Sequence, residues 1–258
     1  MTRSIDGSIR KAGIKSALLF IALLCSVSGS ATTYYVNDND GENYYSSGPG
    51  SNMNYGTINA PFSSISTALT YCFSGDTVLV DPGTYNENII ISVAVTILGP
   101  NTGIPGYHQS NRNPEAIINS PYIRAIEIHS GICTISGFTI TNTQDLSNER
   151  YMIKAGNFFT NGNNITRLNF TDNILRKYHT APGGFALMIQ DNSGISRQIS
   201  IVDNLIDSTT SVSGGIAVWV SGIDNTISRN RLNTLNYDAI NLSASSGNLR
   251  AEITQNYI

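Results

Sequence analysis

The chain has 258 residues, 15 Lys plus Arg against 18 Asp plus Glu, a formal net charge of −3 and only 13% charged residues. Charge this sparse excludes a basic nucleic-acid binder, which must neutralise a run of phosphates. An apolar share of 40% excludes a charged disordered tail. With 29 Asn and 23 Gly against 4 Lys, the balance favours short strands joined by turns over helices.

The N-terminus opens with a basic stretch (Arg3, Arg10, Lys11, Lys15), continues with an apolar run from Ala17 to Leu24, and ends in Ser28-Gly-Ser-Ala31. That order is a secretory signal peptide over residues 1–31, with cleavage near Ser30 or Ala31. The apolar run is shorter than the roughly 20 residues a membrane span needs. The expected mature domain, residues 32–258, is therefore extracellular, on the cell surface or periplasmic, with no membrane segment. It carries 11 basic and 17 acidic residues, a mildly anionic balance that disfavours polyanions unless a cation bridges.

The first strand, around Tyr34-Tyr-Val36, runs into an oxygen-rich loop holding Asp38, Asp40 and Glu42. Such density makes a Ca²⁺ site possible, and a solvated polar loop is the alternative. Past Pro61, the residues Ile65, Ala68, Leu69, Cys72 and Phe73 recur at helical spacing and predict a short helix over Ser64–Phe73. Gly75-Asp76 turns the chain into a strand at Thr77–Val80, and Pro82-Gly83 bends it again. Cys72 and Cys133 lie in apolar surroundings. A secreted chain could join them, but they read better as two buried free thiols.

From residue 165 a unit repeats: a β-branched run, an Asn, then apolar residues. Its Asn positions are Asn173, Asn204, Asn230 and Asn256, spaced 31, 26 and 26 residues apart. So short a period has no room for a helical crossover and fits one turn of a coil made of strands and bends. The fold class predicted is all-β: a right-handed parallel β-helix of roughly seven or eight coils, its first coil covered by the short helix. The Asn column is structural on this reading. Each Asn adopts a left-handed bend conformation and hydrogen-bonds up the column. The chain stops at Asn256-Tyr-Ile258 inside a repeat, so a longer solenoid or a covering chain is expected.

The segment Tyr34–Gly99 carries Tyr34-Tyr-Val36, Gly56-Thr57, Ala60-Pro-Phe62, Gly75-Asp-Thr-Val78, Pro82-Gly-Thr-Tyr85 and Thr96-Ile-Leu-Gly99. It resembles the N-terminus of secreted β-helix proteins of the pectin-lyase-like superfamily. That resemblance implies a polysaccharide partner and leaves the activity open among lyases, hydrolases, esterases, epimerases and non-catalytic coils.

Lyase action needs a base held near neutral pKa and cationic help for the departing proton. Lys154, Arg176 and His179 are the candidates. Hydrolase action needs paired carboxylates. Asp238 stands in a segment loosely similar to one that polygalacturonases use, but their neighbouring acid pair is absent. For binding, strand alternation turns one set of residues outward: Glu127 and His129, Met188 and Gln190, Trp219, and Asn241, with Lys154 on the same face. An exposed Trp beside amides suits sugar rings and hydroxyls. The reading is a secreted coil that binds an extended acidic polysaccharide, with lyase-type cleavage if it is catalytic. The alternative is a surface or adhesion coil that only presents a binding face.

Overall fold

The chain divides into two units, Met1–Ser30 and Ala31–Ile258. The computed structural model describes residues 30–39, 42–122, 124–142, 151–156, 165–176, 184–190, 198–207, 213–219, 222–233, 238–243 and 249–258. Strand β1 (Thr33–Val36) is followed by helix α1 (Ile65–Tyr71), and three-strand coils then repeat. The first is β2 (Thr77–Val80), β3 (Gly83–Tyr85) and β4 (Ile89–Ile91); the second is β5 (Val95–Leu98), β6 (Ala116–Ser120) and β7 (Ile126–Ile128). The third is β8 (Ile132–Ser136), β9 (Thr139–Asn142) and β10 (Tyr151–Gly156); the fourth is β11 (Arg167–Thr171), β12 (Ile174–Arg176) and β13 (Gly184–Gln190). The fifth is β14 (Gln198–Val202), β15 (Leu205–Asp207) and β16 (Ser213–Trp219); the sixth is β17 (Gly222–Ser228), β18 (Arg231–Asn233) and β19 (Ile240–Ser243). Strand β20 (Leu249–Thr254) opens another coil. Among the described residues there are thus six complete three-strand coils, with β1 and β20 adding a strand at either end of sheet A.

Stacking produces three parallel sheets. Sheet A has 8 strands in the order β1-β2-β5-β8-β11-β14-β17-β20. Sheet B has 6, β3 through β18, and sheet C has 6, β4 through β19. The protein is a parallel β-helix. Register is set by the apolar alternation, because a one-residue slip would turn each inward side chain out. Sheet A stacks Val78, Ile97, Ile135, Phe170, Ile201 and Ile227 inward. Sheet B stacks Ile118, Ile140, Leu175, Ile206 and Leu232. All belong to one continuous interior core.

The turn from sheet A to sheet B is where the Asn column sits, and its geometry corrects one expectation. The left-handed residue is not the Asn but the one before it: Asp172, Asp203, Arg229 and Gln255 have φ of 60, 61, 52 and 57°, and Gly137 (84°) holds the same place before Phe138. That residue bends the chain from sheet A toward sheet B, and the Asn that follows it is buried at Asn173, Asn204 and Asn230. Asn204 Oδ1 accepts from Asn173 N–H (2.9 Å), Asn230 Oδ1 from Asn204 N–H (3.0 Å) and Asn256 Oδ1 from Asn230 N–H (2.9 Å). Each Nδ2 donates to a main-chain carbonyl of the coil before: Asn204 to Phe170 and Asn230 to Ile201, at 2.9 and 2.8 Å. The ladder therefore consumes the polar groups that every bend would otherwise bury unpaired.

The segment between β5 and β6 straps this column from outside. Gly103 N–H donates to Asp172 Oδ2 (2.9 Å), Gly106 N–H to the Asp203 carbonyl (2.7 Å) and Tyr107 Oη–H to Asp203 Oδ1 (3.2 Å). A Cβ at Gly106 would stand 2.3 Å from the Asn173 carbonyl oxygen, so only glycine fits there. Arg229 forks onto Asp203 at 2.9 and 2.6 Å.

Helix α1 packs against β1, β2 and β4, with Ile65 and Ala68 buried beneath it. Ser64 caps it, its side chain accepting from Thr67 N–H. Phe73, expected in the helical core stripe, is 78% exposed, because the helix ends at Tyr71 and Cys72 is already extended. Both Cys72 and Cys133 are free and buried. Burial, aided at Cys72 by Asp76, pushes both thiols up to about 12 from the ordinary 9.0.

Two predictions follow from these observations. Asn204→Ala leaves Asn173 N–H buried without its acceptor and takes one donor from the Phe170 carbonyl, so unfolding should become easier by about 1–3 kcal/mol. A urea midpoint unchanged from the parent chain would contradict the ladder's role. The folded state holds the two thiol protons more tightly than the unfolded chain does. Their contribution is therefore complete below pH 9.0 and is lost as pH climbs toward 12. A maleimide at pH 8 should label Cys72 and Cys133 only as the chain unfolds in urea; rapid labelling of native protein would refute it.

Candidate functional site

The outer face of sheet C is built by the same alternation that fills the core. Ile91, Ile128, Ala155, Ile189, Val218 and Leu242 stack in register and all pack in or against the interior core. One position earlier on each strand stand Ile90, Glu127, Lys154, Met188, Ala217 and Asn241, also in register. Glu127 and Lys154 are thus direct neighbours on adjacent strands, about 4.8 Å apart along the solenoid.

Around Glu127 the charged groups gather. Arg124 Nη1 lies 3.3 Å from Glu127 Oε1, and His129 Nε2 lies 3.2 Å from Glu127 Oε2. All three side chains are half-buried. Lys154 Nζ sits 5.4 Å from the centre of the Tyr151 ring, a cation–π distance. The cluster borders a cleft of about 630 Å³ lined by Ser66, Asn86, Glu87, Asn88, Tyr122, Arg124 and Glu127. Its walls are held in place from several directions. Glu87 accepts from Ile65 N–H (2.8 Å) and Ser66 N–H (2.9 Å), tying the start of α1 to the first coil. Asn88 Nδ2 donates to the Arg124 carbonyl at 2.8 Å.

Farther along the face the arrangement differs from expectation. Met188, read from the alternation as an outward surface residue, is 0% exposed. It packs with Tyr151, Phe185 and Ala217 in an apolar cluster separate from the interior core. Two large aromatic side chains flank it, and alternation alone cannot foresee that cover. Gln190 is partly buried, and its Oε1 has no hydrogen-bond partner among the described residues. Trp219 stands in register with Gln190 and Ser243, while Ala217 takes the place beside Asn241. The Trp219 side chain lies outside what the structure describes. Asn241 Nδ2 donates to Asp238 Oδ2 at 2.6 Å, so these two polar candidates are tied to each other at the β19 end.

The three catalytic candidates that the structure describes are not brought together. Lys154 is on β10 in sheet C, whereas Arg176 ends β12 in sheet B, in register with Thr141 and Asp207. Asp238 precedes β19, three strands beyond β10 in sheet C. His179 lies outside the described residues.

The acidic loop after β1 is organised by a residue that sequence reading passed over. Asp81 is 0% exposed and accepts from Tyr44 N–H (3.1 Å), Ser46 N–H (3.2 Å) and Asn37 Nδ2 (3.1 Å), as well as from Tyr45 N–H and the Ser46 hydroxyl. Its signal in the sequence is slight, an acid closing an apolar strand before Pro82-Gly83. Of the proposed calcium ligands, Asp38 accepts from Thr84 N–H, Glu42 is exposed, and Asp40 lies outside the described residues. Among the described residues no group of three or more His, Cys, Asp or Glu could hold a metal ion. The loop turns its N–H groups inward onto one carboxylate, which leaves Asp81 with its acceptor capacity filled.

Comparison with family models, with curated proteins and with solved structures found no match to this chain.

Asp81→Asn puts an amide donor where five donors converge. It should destabilise the domain by about 2–3 kcal/mol and open the Tyr44–Ser46 segment to limited proteolysis. Parent-like melting and an uncut loop would show that Asp81 is not its anchor.

Proposed function

We propose that this protein is a secreted β-helix of the pectin-lyase-like kind that binds an extended acidic polysaccharide along the outer face of sheet C. The observation that carries the reading is the register placing Lys154 beside Glu127, with Arg124 and His129 already on the same carboxylate. Arg124 lines a cleft with Glu127 and Glu87, and Lys154 stands on the next strand beside Glu127, on a chain whose overall charge is −3. Arg124 and Lys154 offer an anionic chain two points of attraction and orientation on a surface that is anionic overall. Sheet C adds regular length: the repeat of about 4.8 Å per strand offers an extended polymer a row of equivalent positions. The signal-like N-terminus and the Tyr34–Gly99 motifs agree with a secreted coil of this kind.

Binding is favoured over cleavage because Lys154, Arg176 and Asp238 stand on separate sheets or distant strands. The second reading, lyase-type cleavage, rests on Lys154 beside the Glu127–His129 pair, which offers a base and a proton carrier within one patch.

Lys154→Ala should weaken retention in affinity gels cast with pectate or alginate by on the order of tenfold, without changing the melting temperature, and the parent's retention should fall with added salt. Mobility indifferent to either glycan would remove the binding reading. Following absorbance of unsaturated product with the same glycans decides the second: release by the parent and none by Lys154→Ala establishes cleavage, and no release by either leaves binding alone.

A further inference from the structure

Beside the charged cleft lies a second one, about 490 Å³, lined by Ser66, Leu69, Thr70, Asn88, Ile90, Ser92 and Val93. The two share Ser66 and Asn88, so they form one groove with two lobes. The lobes differ in chemistry. The first holds Arg124, Glu127 and Glu87; the second holds no charged side chain and has a floor of Leu69, Ile90 and Val93.

Ile90 is the central observation. Its neighbours Ile89 and Ile91 are buried in the core, while Ile90 is 47% exposed on the outer face. It is in register with Glu127, so the apolar floor begins one strand, about 4.8 Å, from the charged cluster. Leu69 and Val93 pack against the core from the other side and hold the floor in place. Polar groups rim it. Ser66 Oγ donates to the Asn88 carbonyl and Thr70 Oγ1 to the Thr67 carbonyl, at 3.3 and 2.7 Å. The exposed Ser92 hydroxyl makes no hydrogen bond to a described residue.

We infer that this groove selects an O-acylated acidic polysaccharide: an acid group at Arg124 and Lys154, and the acyl substituent of the same or a neighbouring sugar on the Leu69–Ile90–Val93 floor. The inference rests on the polysaccharide-binding reading above. A bare sugar ring presents hydroxyls, which an apolar floor strips of water without replacing their hydrogen bonds. An acetyl group presents a methyl to the floor and a carbonyl oxygen to the Ser92 hydroxyl at its rim. Small apolar substituents in such pockets discriminate by roughly tenfold or more.

The test uses the full chain and a matched probe pair, O-acetylated alginate and the same material after mild saponification, in affinity gels. The parent should be held about tenfold more strongly by the acetylated form. Ile90→Asn, on an exposed strand position, should bring the retention of the two forms level. Lys154→Ala should weaken both. Equal parental retention of the two forms, still weakened by Lys154→Ala, would overturn the acyl inference and leave the polysaccharide reading standing. No retention of either form would overturn both.

Discussion

A residue in the left-handed region followed by an inward asparagine turns the later coils from sheet A toward sheet B, at Asn173, Asn204, Asn230 and Asn256, and the stacking of those coils depends on that corner. A non-glycine residue in this region costs on the order of 1 kcal/mol, and four of the five bend residues are not glycine. The cost is offset because the inverted peptide aims the Asn amide at the coil before, where it meets one N–H and one carbonyl. The strands that follow inherit their height and phase from the corner. The outer columns of sheets B and C then need no separate specification: once Asn173, Asn204 and Asn230 stack, Leu175, Ile206 and Leu232 must face inward together.

The parts of the fold that repeat were legible in the sequence, because repetition exposes what the chain cannot vary. The Asn column, the core columns and the covering helix could all be read from spacing. The bend residue could not. Gly137, Asp172, Asp203, Arg229 and Gln255 share a backbone conformation but no side-chain property, so nothing in composition marks them. Asp172 and Asp203 each stand just before a ladder Asn, and Arg229 takes the next such position. In space the Asp203 carboxylate is closed by Arg229 and Tyr107, and both acids are anchors for the strap.

The candidate site was half legible for a related reason. Alternation places Glu127, Lys154, Met188 and Asn241 on one face, and the register confirms that column. Alternation says which side a residue faces but not what else stands on that side, so it missed the aromatic cover over Met188. Contacts made by single residues far apart in sequence were invisible to it too. Asp81 gathering the loop 35 to 37 residues before it is one case, and Glu87 reaching back to the start of α1 is another.

These non-repeating contacts concentrate at the covered end of the coil, and so does the charged chemistry. A regular coil has little polar capacity to spare: its amides satisfy bends, and its outward threonines and serines line a flat sheet. Where α1 meets the first coils, the repeat is interrupted. Side chains such as Arg124, Glu127 and Asn88 answer there to local partners instead of to copies of themselves above and below. Irregularity at that end leaves side chains outside the repeat's own bonding, and the ordered coils beyond continue the same sheet C in register. A solenoid can in this way keep a specific groove at its covered end while its length supplies only repetition and stiffness.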